Sequence, residues 1–123
     1  MTASSATLHE SGLKDETVDR HRAIVSLMEE LEAVDWYDQR AGATSDDSLR
    51  EILAHNRDEE KEHASMLLEW LRRHDPKLDE ELRTYLFSAK PVVEVEEAEQ
   101  DGAGGAARDG SLGIGSLRAE VGK

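Results

Sequence analysis

The chain has 123 residues and no cysteine, so it is long enough for one small domain and excludes disulfides and thiolate metal sites. Its 15 basic and 28 acidic residues give a formal net charge of −13, which repels nucleic acid and anionic membranes and attracts cations. Any metal must therefore bind through oxygen and imidazole ligands. The lack of a long apolar run or a signal pattern favours a cytoplasmic protein.

The chain opens with a small, polar segment, residues 1–14, which its composition predicts to be a disordered arm. From about 16 to 40, apolar residues recur every three or four positions, and this spacing predicts a long first helix. The stretch AGATSDD then interrupts the pattern. Gly42 suits the end of the first helix, and Thr44 or Ser45 suits the N-cap of the next one.

A second long helix is predicted from this break to about His74, because one apolar stripe continues across it. Asp75 and Pro76 then suit the N-cap and first residue of a third, shorter helix that ends near Leu86. The predicted fold class is therefore all-α. Two long antiparallel helices and a short C-terminal helix make up one domain over residues 15–91.

After Pro91 the composition changes, which predicts a disordered C-terminal tail rather than a second domain. Residues 92–110 are first acidic and then rich in glycine and alanine, as in a linker. Residues 111–123 form a distinct closing region.

The apolar stripe of the second helix contains polar residues. At 3.6 residues per turn, Asn56, Glu60 and His63 fall on the same side as Leu49 and Trp70. A carboxylate on a buried face must be neutralised, paired or bound to a cation, because burying it alone is costly. Glu60 and His63 lie one turn apart and can bind one ion together.

The first helix offers a third ligand. Glu30 lies beside its apolar stripe among small residues, and Tyr37 lies two turns further along the same face. One Glu from one helix and a Glu-x-x-His from another make up half of a carboxylate di-iron site. A two-fold homodimer would supply the other half and would itself be the four-helix bundle. The ligands suit iron, although manganese or zinc would also bind them.

An alternative without metal explains the same pattern. In this alternative, Glu60 and His63 hydrogen-bond each other, or pair with an arginine such as Arg57, and make a dimer interface specific. Two further clusters can likewise be interpreted either as metal sites or as solvent-exposed charged faces. They are Glu29, Glu32 and Trp36 on the first helix, and His55, Glu59 and Glu62 on the second.

The stretches HRAIVSLMEELEAVDWYDQR and ILAHNRDEEKEHASMLLEWLRRHDP, followed by LRTYLF, resemble the encapsulated ferritins, which are cargo proteins of bacterial encapsulin nanocompartments. The resemblance implies that the homodimer is a ferritin-like four-helix bundle and that dimers assemble into a ring-shaped decamer. It implies a ferroxidase site with Glu30, Glu60 and His63 as ligands and Tyr37 near the metals. It further implies a second site for incoming metal at Glu29, Glu32 and Trp36, and a surface metal site at His55, Glu59 and Glu62.

The closing region contains SLGIGSLR, which resembles the peptides that target cargo to the encapsulin shell. In this interpretation three apolar side chains anchor an extended peptide, and the preceding linker gives it reach. The residues concerned are Ser111, Leu112, Gly113, Ile114, Gly115, Ser116, Leu117 and Arg118.

Together with this resemblance, the sequence predicts a ferroxidase that works inside an encapsulin nanocompartment in the cytoplasm, with no nucleic-acid or membrane partner. Fe(II) is its substrate, Fe(III) its product, and dioxygen or peroxide the oxidant. Two alternatives remain open. One is a di-iron oxygenase or peroxide reductase that uses the same ligands, and the other is a helical cargo module without catalytic activity.

Overall fold

The computed structural model describes residues 7–103, and within that range the chain forms helices and no strand. The helices are α1 (Asp15–Ala43), α2 (Asp47–Arg73), α3 (Pro76–Tyr85) and α4 (Val92–Ala103). The predicted fold class, all-α with two long helices followed by a short one, is confirmed. None of the described helices is long and apolar enough to span a membrane.

Helices α1 and α2 form an antiparallel hairpin, and a short turn joins them. Helix α1 continues through Gly42, and the backbone N–H of Thr44 closes it by donating to the carbonyl of Arg40 at 3.1 Å. The N-cap of α2 is Asp46, whose carboxylate accepts from the N–H of Leu49 at 2.9 Å. The predicted caps at Thr44 or Ser45 were therefore wrong, because the Asp46 carboxylate is the group that reaches the first free amides of the helix.

Two arginines of α2 tie the helices of the hairpin together. Arg50 donates to the carbonyl of Ala41 at 3.3 Å, and its guanidinium also bonds to the carbonyl of Thr44. Further along α2, Arg57 donates to Asp38 of α1 at 2.9 Å. These contacts secure the turn and hold the two helices in register.

The hairpin buries few large side chains. Its buried apolar residues are Ala23, Ala41, Ala64 and Leu71, and none of the described side chains is completely enclosed. Large apolar side chains of both helices are exposed in the single chain, namely Ile24, Leu31, Trp36, Leu49, Ile52 and Met66. A single hairpin therefore leaves much of its apolar stripe in contact with water.

Within the described chain, the residues from Asp75 to Ala103 belong to a second compact unit. Asp75 caps α3 by accepting from the N–H of Leu78 at 3.1 Å, and Pro76 is the first helical residue, as predicted. Just beyond the end of α3, Phe87 has a backbone φ of 63° and its side chain is 98% exposed. Large side chains rarely adopt this left-handed conformation.

Helix α4 corrects the prediction that residues 92–110 form an unstructured linker. The first part of that segment, Val92–Ala103, is helical. It follows Pro91, it is rich in glutamate, and Glu94 in its first turn interacts favourably with the helix dipole. The predicted targeting residues, 111–118, lie outside the described residues.

Candidate metal centre

Three predicted ligands meet between the helices of the hairpin. Glu30 comes from α1, and Glu60 and His63 come from α2, where the spacing of three residues places one side chain above the other. The Nδ1 atom of His63 lies 3.2 Å from Oε1 of Glu60 and 3.5 Å from Oε1 of Glu30. The interface between the two helices thus brings together residues that are far apart in the sequence.

The cluster stands out from the rest of the described chain. Each of the three residues offers one ligand atom, these atoms all lie within 4.8 Å of one another, and residues 7–103 contain no other such group of three. The Glu30 and Glu60 side chains are 27% and 24% exposed, and that of His63 is 42% exposed. The carboxylates are therefore set between the helices, whereas the imidazole lies at the open side of the cluster.

Hydrogen bonds link the titrations of the Glu30, Glu60 and His63 side chains. The pKa of Glu30 is raised, chiefly because its carboxyl hydrogen-bonds to Glu60, and also because of partial burial and the charge of Glu60. The pKa of Glu60 is lowered, chiefly by that same hydrogen bond. The pKa of His63 is raised, chiefly by its hydrogen bond to Glu60. The positive charge of a protonated His63 imidazole stabilises the ionised form of both carboxyl groups.

The same spacing suits a metal cation. Two ligand atoms that lie about 2.1 Å from one cation, at right angles to each other, are about 3 Å apart. The distances from His63 to the two carboxylates are slightly longer than this, so small side-chain rotations would let all three groups bind one ion. A cation would compete with protonation of Glu30 and His63, which links metal binding to proton release.

The alternative in which Arg57 neutralises the cluster does not match the structure. The Arg57 guanidinium bonds to Asp38 at 2.9 Å and to Asp58 at 3.1 Å. Sequence periodicity missed its contact with Asp38, because the two residues are 19 positions apart and meet only when the helices pair. The hydrogen bond between Glu60 and His63 that the other alternative requires is present. This bond is compatible both with a metal-binding role and with a purely structural one.

Tyr37 is half buried on α1, and the Arg40 guanidinium carbon lies 5.5 Å from the centre of its ring. The same guanidinium carbon lies 5.8 Å from the ring of Trp36, which is exposed. The role of Tyr37 near the metals, and a second site that combines Trp36 with Glu29 and Glu32, remain predictions.

The predicted surface site on α2 is only partly assembled in the single chain. His55 Nε2 lies 3.6 Å from a carboxylate oxygen of Glu59, and both side chains are well exposed. Glu62, the third predicted residue, lies at the rim of a groove that Met66 and Trp70 line further along the same helix. A metal site at these residues also remains a prediction.

Comparisons with known proteins agree with this fold. A sequence profile described as EncFtn-like matches residues 6–89. A protein of Rhodospirillum rubrum named "Encapsulated ferritin-like protein" is 60% identical over 132 aligned positions, which cover 98% of this chain and 94% of that protein. A "Ferritin-like protein" of Thermotoga maritima is 57% identical over 96 positions, which cover 78% of this chain and 82% of that protein.

A solved structure is also similar. The crystal structure of a protein from Nitrosomonas europaea aligns with a TM-score of 0.67 and 63% sequence identity. The alignment covers 69% of this chain and 96% of that one.

Proposed function

The chain belongs to the EncFtn-like family, and on this premise we propose that it is a ferroxidase that oxidises Fe(II) to Fe(III) at a di-iron site formed between two copies of the chain. One observation carries the proposal. Ligand atoms of Glu30, Glu60 and His63 lie within 4.8 Å of one another at the interface of two helices. Carboxylate and imidazole ligands without thiolate suit non-haem iron.

A second copy completes the site in this proposal. One chain supplies three protein ligands, and carboxylate di-iron sites in four-helix bundles use two such sets. A two-fold axis beside the cluster brings a second Glu30, Glu60 and His63 opposite the first. Dimerisation also covers exposed apolar side chains such as Ile52, which is 58% exposed in the single chain.

Iron oxidation requires an acceptor for the electrons and a source of protons. Each Fe(II) gives up one electron, so a pair of ions reduces dioxygen to hydrogen peroxide with two protons, or peroxide to water with two protons. The protein holds the ions through the deprotonated forms of Glu30, Glu60 and His63. Any proton on Glu30 or His63 leaves when the cation binds. Tyr37, two turns along α1 from Glu30, would orient the site by hydrogen bonding.

We also place this activity inside an encapsulin shell. The Rhodospirillum rubrum relative is named as an encapsulated protein, and it is similar to this chain over nearly its whole length. Residues 111–118 would bind the shell interior as a targeting peptide, and the preceding linker would give them reach. In this proposal dimers assemble into a ring-shaped decamer in the cytoplasm, and the released Fe(III) is mineralised within the nanocompartment.

Iron oxidation by purified protein tests the enzymatic part. Fe(II) is added in air, and the formation of Fe(III) is followed by absorbance for wild type, Glu60→Ala and His63→Ala. We expect each variant to be slower than wild type by at least about tenfold, because each one removes a ligand. Glu51→Ala is the matched control, since it removes an exposed carboxylate from the same helix. Wild-type protein that oxidises iron no faster than the ligand variants would refute the proposal.

A further inference from the structure

Arg57 and Asp38 form an ion pair that crosses from α2 to α1. The Arg57 guanidinium donates to the Asp38 carboxylate at 2.9 Å, and its Nε atom donates to the neighbouring Asp58 at 3.1 Å. The Arg57 side chain is 25% exposed, whereas the Asp38 side chain is 65% exposed. The planar guanidinium is therefore largely covered, and two carboxylates fix its orientation.

This ion pair and the metal cluster lie on opposite sides of the contact between α1 and α2. The buried residues mark the line along which the helices touch, namely Ala23 and Ala41 on α1, and Ala64 and Leu71 on α2. At about 100° per residue, Glu30 and Glu60 are rotated from that line by about 20–40° in one sense. Asp38 and Arg57 are rotated from it by about 20–60° in the other sense. Because the helices run antiparallel, the same sense of rotation on both leads to the same side of the contact.

The ion pair is also close to the cluster along the helix axes. Asp38 lies about two turns after Glu30 on α1, and Arg57 lies about one turn before Glu60 on α2. The pair thus closes one side of the stretch of hairpin whose other side holds the ligands. A rotation of α1 against α2 that moves Glu30 away from His63, now 3.5 Å apart, would also stretch the ion pair.

We propose that Arg57 is a positioning residue of the metal cluster. Its ion pair with Asp38 holds α1 and α2 in the rotation that places Glu30 opposite Glu60 and His63, and Arg57 itself does not touch the cation. This role rests on metal binding at the cluster, which is part of the proposed function, but it does not depend on iron oxidation. The effect is limited in size, because the pair can favour one arrangement of the helices by no more than its own free energy.

The sign of the effect separates positioning from simple electrostatics. A positive charge near a cation site repels the cation, so removal of the guanidinium should by charge alone strengthen metal binding. Positioning predicts the reverse. In Arg57→Gln we expect the dissociation constant for Zn(II) to rise about two- to fivefold, as fits the loss of one partly exposed ion pair. Arg57→Lys keeps the charge and a single donor group, so its affinity should fall between those of wild type and Arg57→Gln.

The two aspartates that bind Arg57 allow a matched comparison. Asp38→Asn and Asp58→Asn remove the same charge, but Asp38 lies on α1 and Asp58 lies on α2 beside Arg57 itself. We expect Zn(II) binding to be about two- to fivefold weaker in Asp38→Asn than in Asp58→Asn, because the first change alone removes the link between the helices. The double variant, with Asp38→Asn and Arg57→Gln together, should bind no more weakly than the weaker single variant, since both changes remove one interaction.

Calorimetric titration of the full-length protein with Zn(II), in the absence of iron, measures these affinities. Circular dichroism checks that each variant is helical, and if Arg57→Gln does not fold, the two aspartate variants still decide the matter. Glu60→Ala identifies the part of the signal that belongs to the cluster, because it removes one ligand and leaves the exposed acidic residues in place.

The outcomes distinguish this role from the proposed enzymatic activity. Zn(II) binding by Arg57→Gln that is as tight as in wild type, or equal binding by Asp38→Asn and Asp58→Asn, would overturn the positioning role and leave the ferroxidase proposal intact. The expected order of affinities, together with a wild type that does not oxidise Fe(II), would support the positioning role and refute the ferroxidase.

Discussion

His63 and Glu30 lie on different helices, yet Nδ1 of the imidazole is 3.5 Å from Oε1 of the carboxylate. Glu60 lies on the same side of α2 as His63. One turn of α1 and one turn of α2, which are far apart in the sequence, therefore form a single polar cluster. The hydrogen bond between the two partly buried carboxyl groups raises the pKa of Glu30 and lowers the pKa of Glu60. Functional and structural roles of these residues can therefore be separated by changes that keep their shape.

Replacement of Glu30 by Gln tests this separation. The amide has the shape of the protonated carboxyl and can still donate a hydrogen bond to Glu60. In chelator, we expect the free energy of unfolding to differ from wild type by less than about 1 kcal/mol. Iron oxidation should fall by at least about tenfold, because the amide does not replace the carboxylate charge at the cation.

The Glu30→Gln measurement combines urea unfolding in chelator with the initial rate of Fe(III) formation in air. Glu51→Gln, an exposed change on α2, serves as the control and should leave both quantities unchanged. Loss of stability together with the loss of activity would instead assign Glu30 a mainly structural role.

Leu71 is expected to be important for the stability of the hairpin. It is the only large apolar residue among the buried residues of the described chain, and it is 4% exposed. Leu71→Ala should lower the free energy of unfolding by about 2–4 kcal/mol, because it removes buried apolar surface and leaves a cavity. Urea denaturation measures the change. Leu8→Ala, at an exposed position, should stay within about 0.5 kcal/mol of wild type, and an equal effect of the two changes would contradict the assigned core.

The lowered pKa of the Glu69 carboxyl predicts a specific dependence of stability on pH. Hydrogen bonds from Arg72 and Arg73 lower the pKa of its carboxyl from 4.5 to about 2. Because the folded-state pKa is the lower one, the stabilisation is fully present above about pH 4.5 and is lost as the pH falls towards 2. Glu69→Gln should therefore melt below wild type at pH 7, and the difference in Tm should disappear near pH 2.

Thermal melts from pH 7 to pH 2 on both proteins check this expectation, with Glu51→Gln as a control for the loss of one negative charge. Added salt should also reduce the Glu69→Gln difference, because the pairs lie at the surface. A difference in Tm that stays constant down to pH 2 would show that the two arginines do not bind Glu69 in solution.

The targeting role proposed for residues 111–118 predicts that loading of the protein into the shell depends on the closing region, residues 111–123. Co-expression of shell protein with full-length cargo should yield loaded shells, and deletion of residues 111–123 should yield empty ones. A full-length variant that carries Leu112→Ser, Ile114→Ser and Leu117→Ser should also fail to load, because it lacks the apolar anchors. Cargo content of purified shells is measured by gel densitometry. Equal loading of all three proteins would refute the targeting role.

Local sequence patterns were sufficient for much of the fold. Apolar spacing predicted α1, α2 and α3, and Asp75 with Pro76 marked the start of α3 correctly. Glu60 and His63 could be singled out because they occupy positions where the stripe of α2 should be apolar. The helices and the polar positions on the stripe could both be predicted because they depend on short-range geometry within one helix.

Contacts between residues that are distant in the sequence were harder to predict. Glu30 could be named as a candidate, but its distance to His63 depends on how α1 and α2 are aligned. The pairing of Arg57 with Asp38 depends on the same alignment. The backbone of Phe87 was not predicted, because no local rule favours a left-handed phenylalanine. Helix α4 was missed although its glutamates favour a helix, because acidity and nearby glycines were interpreted as signs of a linker.

The small buried core of the hairpin makes protein concentration part of the folding equilibrium. Three alanines and one leucine are all that the described chain buries, so much of the apolar area removed from water must come from contact with another molecule. A chain at low abundance is then less stable, and it gains stability as further copies accumulate. The amount of protein produced would in this way influence when the folded form appears.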